Sequence, residues 1–209
     1  MTVAEKLTAI GENMPKVYDA GKNWVFRYMT QPNGLFYKAA FPEGSSLRVS
    51  LPNCSSLLTE MFRLATGLHT LELQLPDVLS KANYMFYSCS LRVLRLPNGL
   101  RVSDFVNFAN RCEQLEEVWG NLDLTESSSN DGCFGSCNLL REVRFVPNSI
   151  RKSISFKQSG QLSEASVASI LAGLATVETT QTLTLHDTVK ATLTNAQIAA
   201  LEAKNWQLA

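Results

Sequence analysis

The stretch Met85-Phe-Tyr-Ser-Cys-Ser-Leu-Arg-Val-Leu-Arg-Leu-Pro97 decides the fold, because its features return along the chain at a nearly fixed interval. Its second half carries apolar residues at Leu91, Leu94 and Leu96. The same rhythm runs through Leu68, Leu71 and Leu73, then Leu115 and Val118, then Leu140, Val143 and Phe145. These copies begin 23 to 25 residues apart, and a simpler alternation of Leu47, Val49 and Leu51 precedes them. Alternating apolar positions make a short strand with one face turned inward. Pro52, Pro76, Pro97 and Pro147 follow four of the strands. Proline cannot donate to a sheet ladder, so it closes a strand at a defined point. The copy starting at Leu115 has Gly120 and Asn121 instead of a proline, so its exit turn should differ.

A second element stands before most strands. Phenylalanine recurs at Phe62, Phe86, Phe108 and Phe134, and a small thiol at Cys89, Cys112 and Cys137, with Ala65 in the same place one copy earlier. Equivalent positions of stacked copies lie on one another, so one inward position becomes a continuous ladder. Cysteine serves there as a small hydrophobe. The five cysteines (Cys54 and Cys133 complete the set) are therefore read as free, buried core residues. Cys133-x-x-x-Cys137 as half a zinc site finds no second pair, and His69 and His186 are the only histidines. A catalytic cysteine would need a positioned base, and His69 falls inside a strand.

With these motifs in place, the chain resembles the BspA-like leucine-rich-repeat family of gut Firmicutes and their prophages. The resemblance rests on Phe86-Tyr-Ser-Cys89-Ser-Leu91, on the strand that follows it, and on Phe134-Gly-Ser-Cys137-Asn-Leu139. It covers residues 44 to 158; one extra residue separates Phe108 from Cys112, and Ala65 replaces cysteine in the first copy. The opening VAEKLTAIGENMPKVYDAGK and the stretch from Gln161 to Ala209 are also similar to segments of phage-associated proteins of those bacteria. The resemblance implies display on a cell or virion surface, recognition of host molecules and no enzymatic activity.

The expected fold class is thus an α/β leucine-rich-repeat solenoid, its short parallel strands stacked at a 23–25 residue period. A helical N-terminal segment and an α/β C-terminal cap complete it. Three regions follow: residues 1–24 as an amphipathic helix, 34–158 as the solenoid and 159–209 as the cap. Thr2-x-x-Glu5 reads as a capping box ahead of a stripe of Val3, Leu7, Ile10, Met14 and Val17, which Gly11 and Pro15 weaken. That helix either covers the open end or holds a homo-oligomer together. At the other end, Ser163 and Thr194 are helix caps, Thr182–Leu185 is a strand, and Trp206 and Leu208 close the segment in extended form.

Lys plus Arg and Asp plus Glu number 19 each, and this neutral balance disfavours nucleic acid or an anionic membrane as partner. No apolar run approaches the roughly 18 residues of a membrane helix. The N-terminus carries no signal-peptide pattern, which points to cytoplasmic synthesis with virion association, or to the cell surface if a signal has been removed. No nucleophile elbow, zinc-protease, phosphate-loop or dinucleotide motif is present, so no enzyme, cofactor or metal is expected.

The residues between inward positions form an outward array, Ser50, Glu72, Arg95, Trp119 and Arg144, one per strand. Aromatic and arginine side chains anchor interfaces. Trp119, flanked by Arg95 and Arg144, is therefore the candidate ligand site, with Glu72 beside it, for a protein or glycan on a host surface. The alternative is that Trp119 folds into its irregular copy. The run from Ser127 to Gly132 is expected to be an exposed loop. The competing functional reading is a structural subunit of a phage-like particle, assembled through the N-terminal helix.

Overall fold

The computed structural model describes residues 23–55 and 57–209. The stripe from Val3 to Val17, with its capping and assembly roles, lies outside the described residues.

Eight strands form one sheet: β1 (Asn23–Val25), β2 (Ala40–Ser50), β3 (Thr66–Gln74), β4 (Ser80–Lys81), β5 (Val93–Arg95), β6 (Leu100–Asp104), β7 (Glu117–Asp123) and β8 (Glu142–Phe145). Their order is β1-β2-β3-β5-β7-β6-β4, with β8 also on β7, and every pairing is parallel. A second parallel sheet joins β9 (Ile154–Phe156), β10 (Gln181–Leu185) and β11 (Trp206–Leu208), with β10 in the middle. Among the described residues helices are few: α1 (Glu164–Gly173), the single turn α2 (Asp187–Lys190) and α3 (Asn195–Glu202).

This corrects the fold class expected from the sequence. The described residues make a curled parallel sheet, a half-barrel with few helices, and not a clear leucine-rich-repeat solenoid. The leucine rhythm reports that short strands alternate inward and outward. It carries no information on what joins them or on how the sheet branches. The branch is at β7, whose first part pairs with β5 and whose last part pairs with β6.

Gly120 stands between the two pairing segments of β7. Its φ is +97°, and a Cβ there would overlap the Leu96 carbonyl oxygen and stand 3.0 Å from that of Pro97. Only glycine allows both the left-handed backbone and this approach. The absence of a proline after this strand has the same root: β7 continues through the turn to Asp123. The other four strands that proline follows, β2, β3, β5 and β8, each end two residues before it.

Between strands the chain runs through stacked turns. Gly34, Glu60, Tyr84, Asn107 and Gly132 take φ from 51° to 63°, and so do Lys38, Leu64, Ser88, Arg111 and Ser136 four residues later. In each turn every second N–H donates to the next copy, as Phe62 N does to Met85 O at 2.8 Å and Phe86 N to Phe108 O at 2.8 Å. The N–H groups in between close local turns, such as Cys89 N to Phe86 O at 3.1 Å. This alternation satisfies a backbone that no regular helix or strand would otherwise serve, and it offsets left-handed conformations that cost roughly 1–2 kcal/mol each outside glycine.

The core lies between the curled strands and these turns. Phe36, Phe62, Phe86, Phe108, Phe134 and Phe156 form a continuous column with ring centroids 4.7 to 6.1 Å apart. All five cysteines are free and buried. The run from Ser127 to Gly132 differs from its expectation as an exposed loop. Ser127 and Asn130 are buried, Ser127 Oγ donates to Asn130 Oδ1 at 2.9 Å, and Asn130 Nδ2 donates to Lys152 O at 3.0 Å. Its polar groups serve the stacking of turns, and only part of the run meets solvent.

After β9, Ser163 caps α1 by accepting from Ser166 N, and Thr194 caps α3 in a complete capping box with Gln197. Trp206 is buried, its Nε1 donating to Ala175 O at 2.8 Å.

Candidate ligand-binding site on the sheet face

Outward positions on parallel strands in register stand side by side, about 4.8 Å apart. The register aligns Arg48 with Glu72, Glu72 with Arg95, and Arg95 with Trp119. These four residues therefore make a row across β2, β3, β5 and β7. Trp119 is 36% exposed, against 6% for Trp24 and 2% for Trp206. Its indole N–H donates to Glu117 Oε2 at 2.7 Å, which holds the ring over the sheet instead of in the core.

Two adjoining depressions follow the row. One, of ≈ 590 Å³, is bounded by Glu72, Gln74, Leu75, Arg95, Pro97 and Trp119. The other, of ≈ 380 Å³, is the more polar, with Asn23, Ser46, Arg48 and Thr70 around the same Glu72 and Arg95. Together they form a shallow trough with an aromatic and apolar end and a polar end.

Of the predicted site residues, Glu72, Arg95 and Trp119 come together. Arg144 does not. The parallel register between β7 and β8 shifts after Glu117, so that Arg144 pairs with Asn121. Its guanidinium turns toward Glu142 at 2.8 Å and donates to Ser166 Oγ at 2.7 Å, bracing α1 against β8. Ser50, at the end of β2, borders neither depression. The shift arises at the Gly120 bend, which sequence alternation cannot register.

Charge on this face is almost fully matched. Arg48 pairs with Glu72 at 2.7 Å, Arg92 with Glu116, Arg141 with Glu117, and Arg144 with Glu142. Such exposed pairs are worth little to stability, but they fix side-chain directions. The Arg95 side chain, like that of Arg101 on β6, makes no ion pair or hydrogen bond among the described residues, although it neighbours Glu72. The Glu72 carboxylate is engaged by Arg48 from the other side.

Compared with family models, curated proteins and solved structures, the chain matches none. Function has to be argued from the site.

The remaining chemistry-bearing residues have structural employment. His69 Nδ1 lies 3.2 Å from Thr70 Oγ1, and His186 caps α2 by accepting from Thr188 N. Burial raises Cys89 and Cys137 to about 12, and pushes Cys112 and Cys133 up as well, so none presents a thiolate near neutral pH. Among the described residues no group of three or more His, Cys, Asp or Glu could hold a metal ion, and no helix is long and apolar enough to cross a membrane.

Sequence reasoning also missed a cluster on the turn surface. The Arg63 guanidinium lies over Tyr37, Tyr84 and Tyr87 at 5.4 to 5.8 Å from the ring centroids, and it pairs with Glu60. The recurrence of these residues one copy apart was the available signal. Their mutual cation–π contacts tie adjacent turns together.

Proposed function

We propose that this chain is a non-enzymatic recognition module, which binds a protein or glycan on a host surface through the trough at Trp119. The observation that carries it is the pairing of an outward, solvent-reaching Trp119 with Arg95 on the adjacent strand of a rigid parallel sheet. Tryptophan and arginine are the side chains that most often dominate interfaces, and a preformed row loses little entropy when it binds. The resemblance of the Phe-x-x-Cys segments to BspA-like proteins supports the same class of function, including surface or virion display.

Screening the full chain on protein and glycan arrays tests this reading, with Trp119→Ala as the matched control. The expected result is one or more ligands held by the native chain and lost by the variant. Ligands retained equally by Trp119→Ala would remove the site.

A further inference from the structure

Five arginines, Arg48, Arg92, Arg95, Arg141 and Arg144, stand on or beside the outer face of β2, β3, β5, β7 and β8. Four glutamates answer them: Glu72, Glu116, Glu117 and Glu142 are all engaged by the other four arginines, Arg141 reaching both Glu116 and Glu117. Of these five, Arg95 alone makes no ion pair among the described residues, and it lines both depressions of the trough, whereas Arg101 on β6, also exposed and without an ion pair, borders neither. An arginine fork left open on this shallow trough matches a carboxylate, which it can hold through two parallel N–H···O bonds.

The rest of the lining narrows what carries that carboxylate. On one side of Arg95, Trp119, Pro97 and Leu75 offer a flat, partly apolar wall. On the other, Ser46, Thr70, Asn23 and the Arg48–Glu72 pair offer hydroxyl, amide and charged groups in close succession. A pyranose ring has one face of C–H groups, suited to stacking on an indole, and a rim of hydroxyls that both donate and accept. A hydrophobic protein anchor would use only the apolar end of the trough.

From this arrangement we propose that the ligand is an acidic glycan, a short oligosaccharide containing a hexuronic acid. Its carboxylate is received by Arg95, its sugar ring stacks on Trp119, and neighbouring hydroxyls reach Glu72, Thr70 and Ser46. The proposal rests on the recognition reading above and specifies its ligand.

Titration calorimetry of the full chain with trigalacturonate, and with the same trisaccharide after reduction of its carboxyl groups to alcohols, tests it. The acidic sugar is expected to bind at least about tenfold more tightly, the value of one good charge-assisted contact. Arg95→Gln should abolish that preference while the variant keeps the native circular dichroism and melting temperature. Trp119→Ala should weaken both sugars. Equal affinity for the acidic and neutral trisaccharides would overturn the acidic specificity and leave Trp119-dependent recognition standing. Failure of both sugars to bind, alongside Trp119-dependent hits on a protein array, would overturn a glycan ligand. Loss of Trp119 dependence for every ligand would remove the recognition reading itself.

Discussion

Gly120 lies so close to the Leu96 carbonyl that any side chain would displace one strand from the next. Gly120→Ala is expected to cost about 2–4 kcal/mol, combining the left-handed backbone with the steric overlap. Gly99 is the control, with φ +77° and nothing within 4 Å of a built Cβ. Gly99→Ala should cost only about 1 kcal/mol. Urea denaturation of the two variants checks this, and equal losses would show that the close approach is unimportant.

The aromatic column makes a second prediction. Phe86 is buried between Phe62, at 5.6 Å, and Phe108, at 5.1 Å. Phe86→Ala should lose about 3–5 kcal/mol, the usual consequence of removing a buried ring. Hydrogen exchange should show the loss spreading to the amides of Phe62, which donates to Met85 O, and of residue 86 itself, which donates to Phe108 O.

Five thiols should react with a disulfide reagent after denaturation without reductant, and essentially none before it. Cys112→Ser should be mild, about 1 kcal/mol or less, because the new hydroxyl can donate to Phe86 O, which Cys112 Sγ already approaches at 2.7 Å. Ser159 shows the same chemistry further along, donating to Cys137 O at 3.1 Å.

Stability should fall in alkali. Unfolded thiols ionise near the ordinary value of 9.0, whereas burial holds Cys54 up to about 11 and Cys89 and Cys137 to about 12. Above 9.0 the folded chain therefore binds more protons than the unfolded one, and the free energy of unfolding declines as pH rises. Melting temperatures from pH 8 to 11 should show this decline in the native chain, reduced in Cys89→Ala relative to its own value at pH 8. A flat profile would contradict the burial of the thiols.

Trp119 should account for nearly all quenching of tryptophan fluorescence by acrylamide, since Trp24 and Trp206 are buried. Trp119→Phe is expected to leave emission that acrylamide barely reaches. Strong residual quenching would show that one of the other two rings is accessible.

Much of the interior was legible in the sequence, and the reason is periodicity. Leu71, Leu94, Val118 and Val143 all point inward, as alternation requires. Phe62, Phe86, Phe108 and Phe134 were found by their recurrence. Phe36 and Phe156 belong to the same column but were missed, because both lie outside the clear leucine copies that begin at Leu68, Leu91, Leu115 and Leu140. What lay beyond periodicity was the geometry of connections. Left-handed turns at Glu60, Tyr84 or Ser88 carry no glycine to announce them. The bend at Gly120 changes the register on one side of β7, which is why Arg95 joins Trp119 and Arg144 does not.

β7 is also the place where two arms of the sheet become one mechanical body. Within the sheet, β5 and β6 meet on the seven residues of β7, Glu117 to Asp123, while the stacked turns join the same copies on the far side of the core. Trp119 stands next to Gly120 at that junction. A ligand gripping Trp119 would therefore hold the strand on which both arms meet.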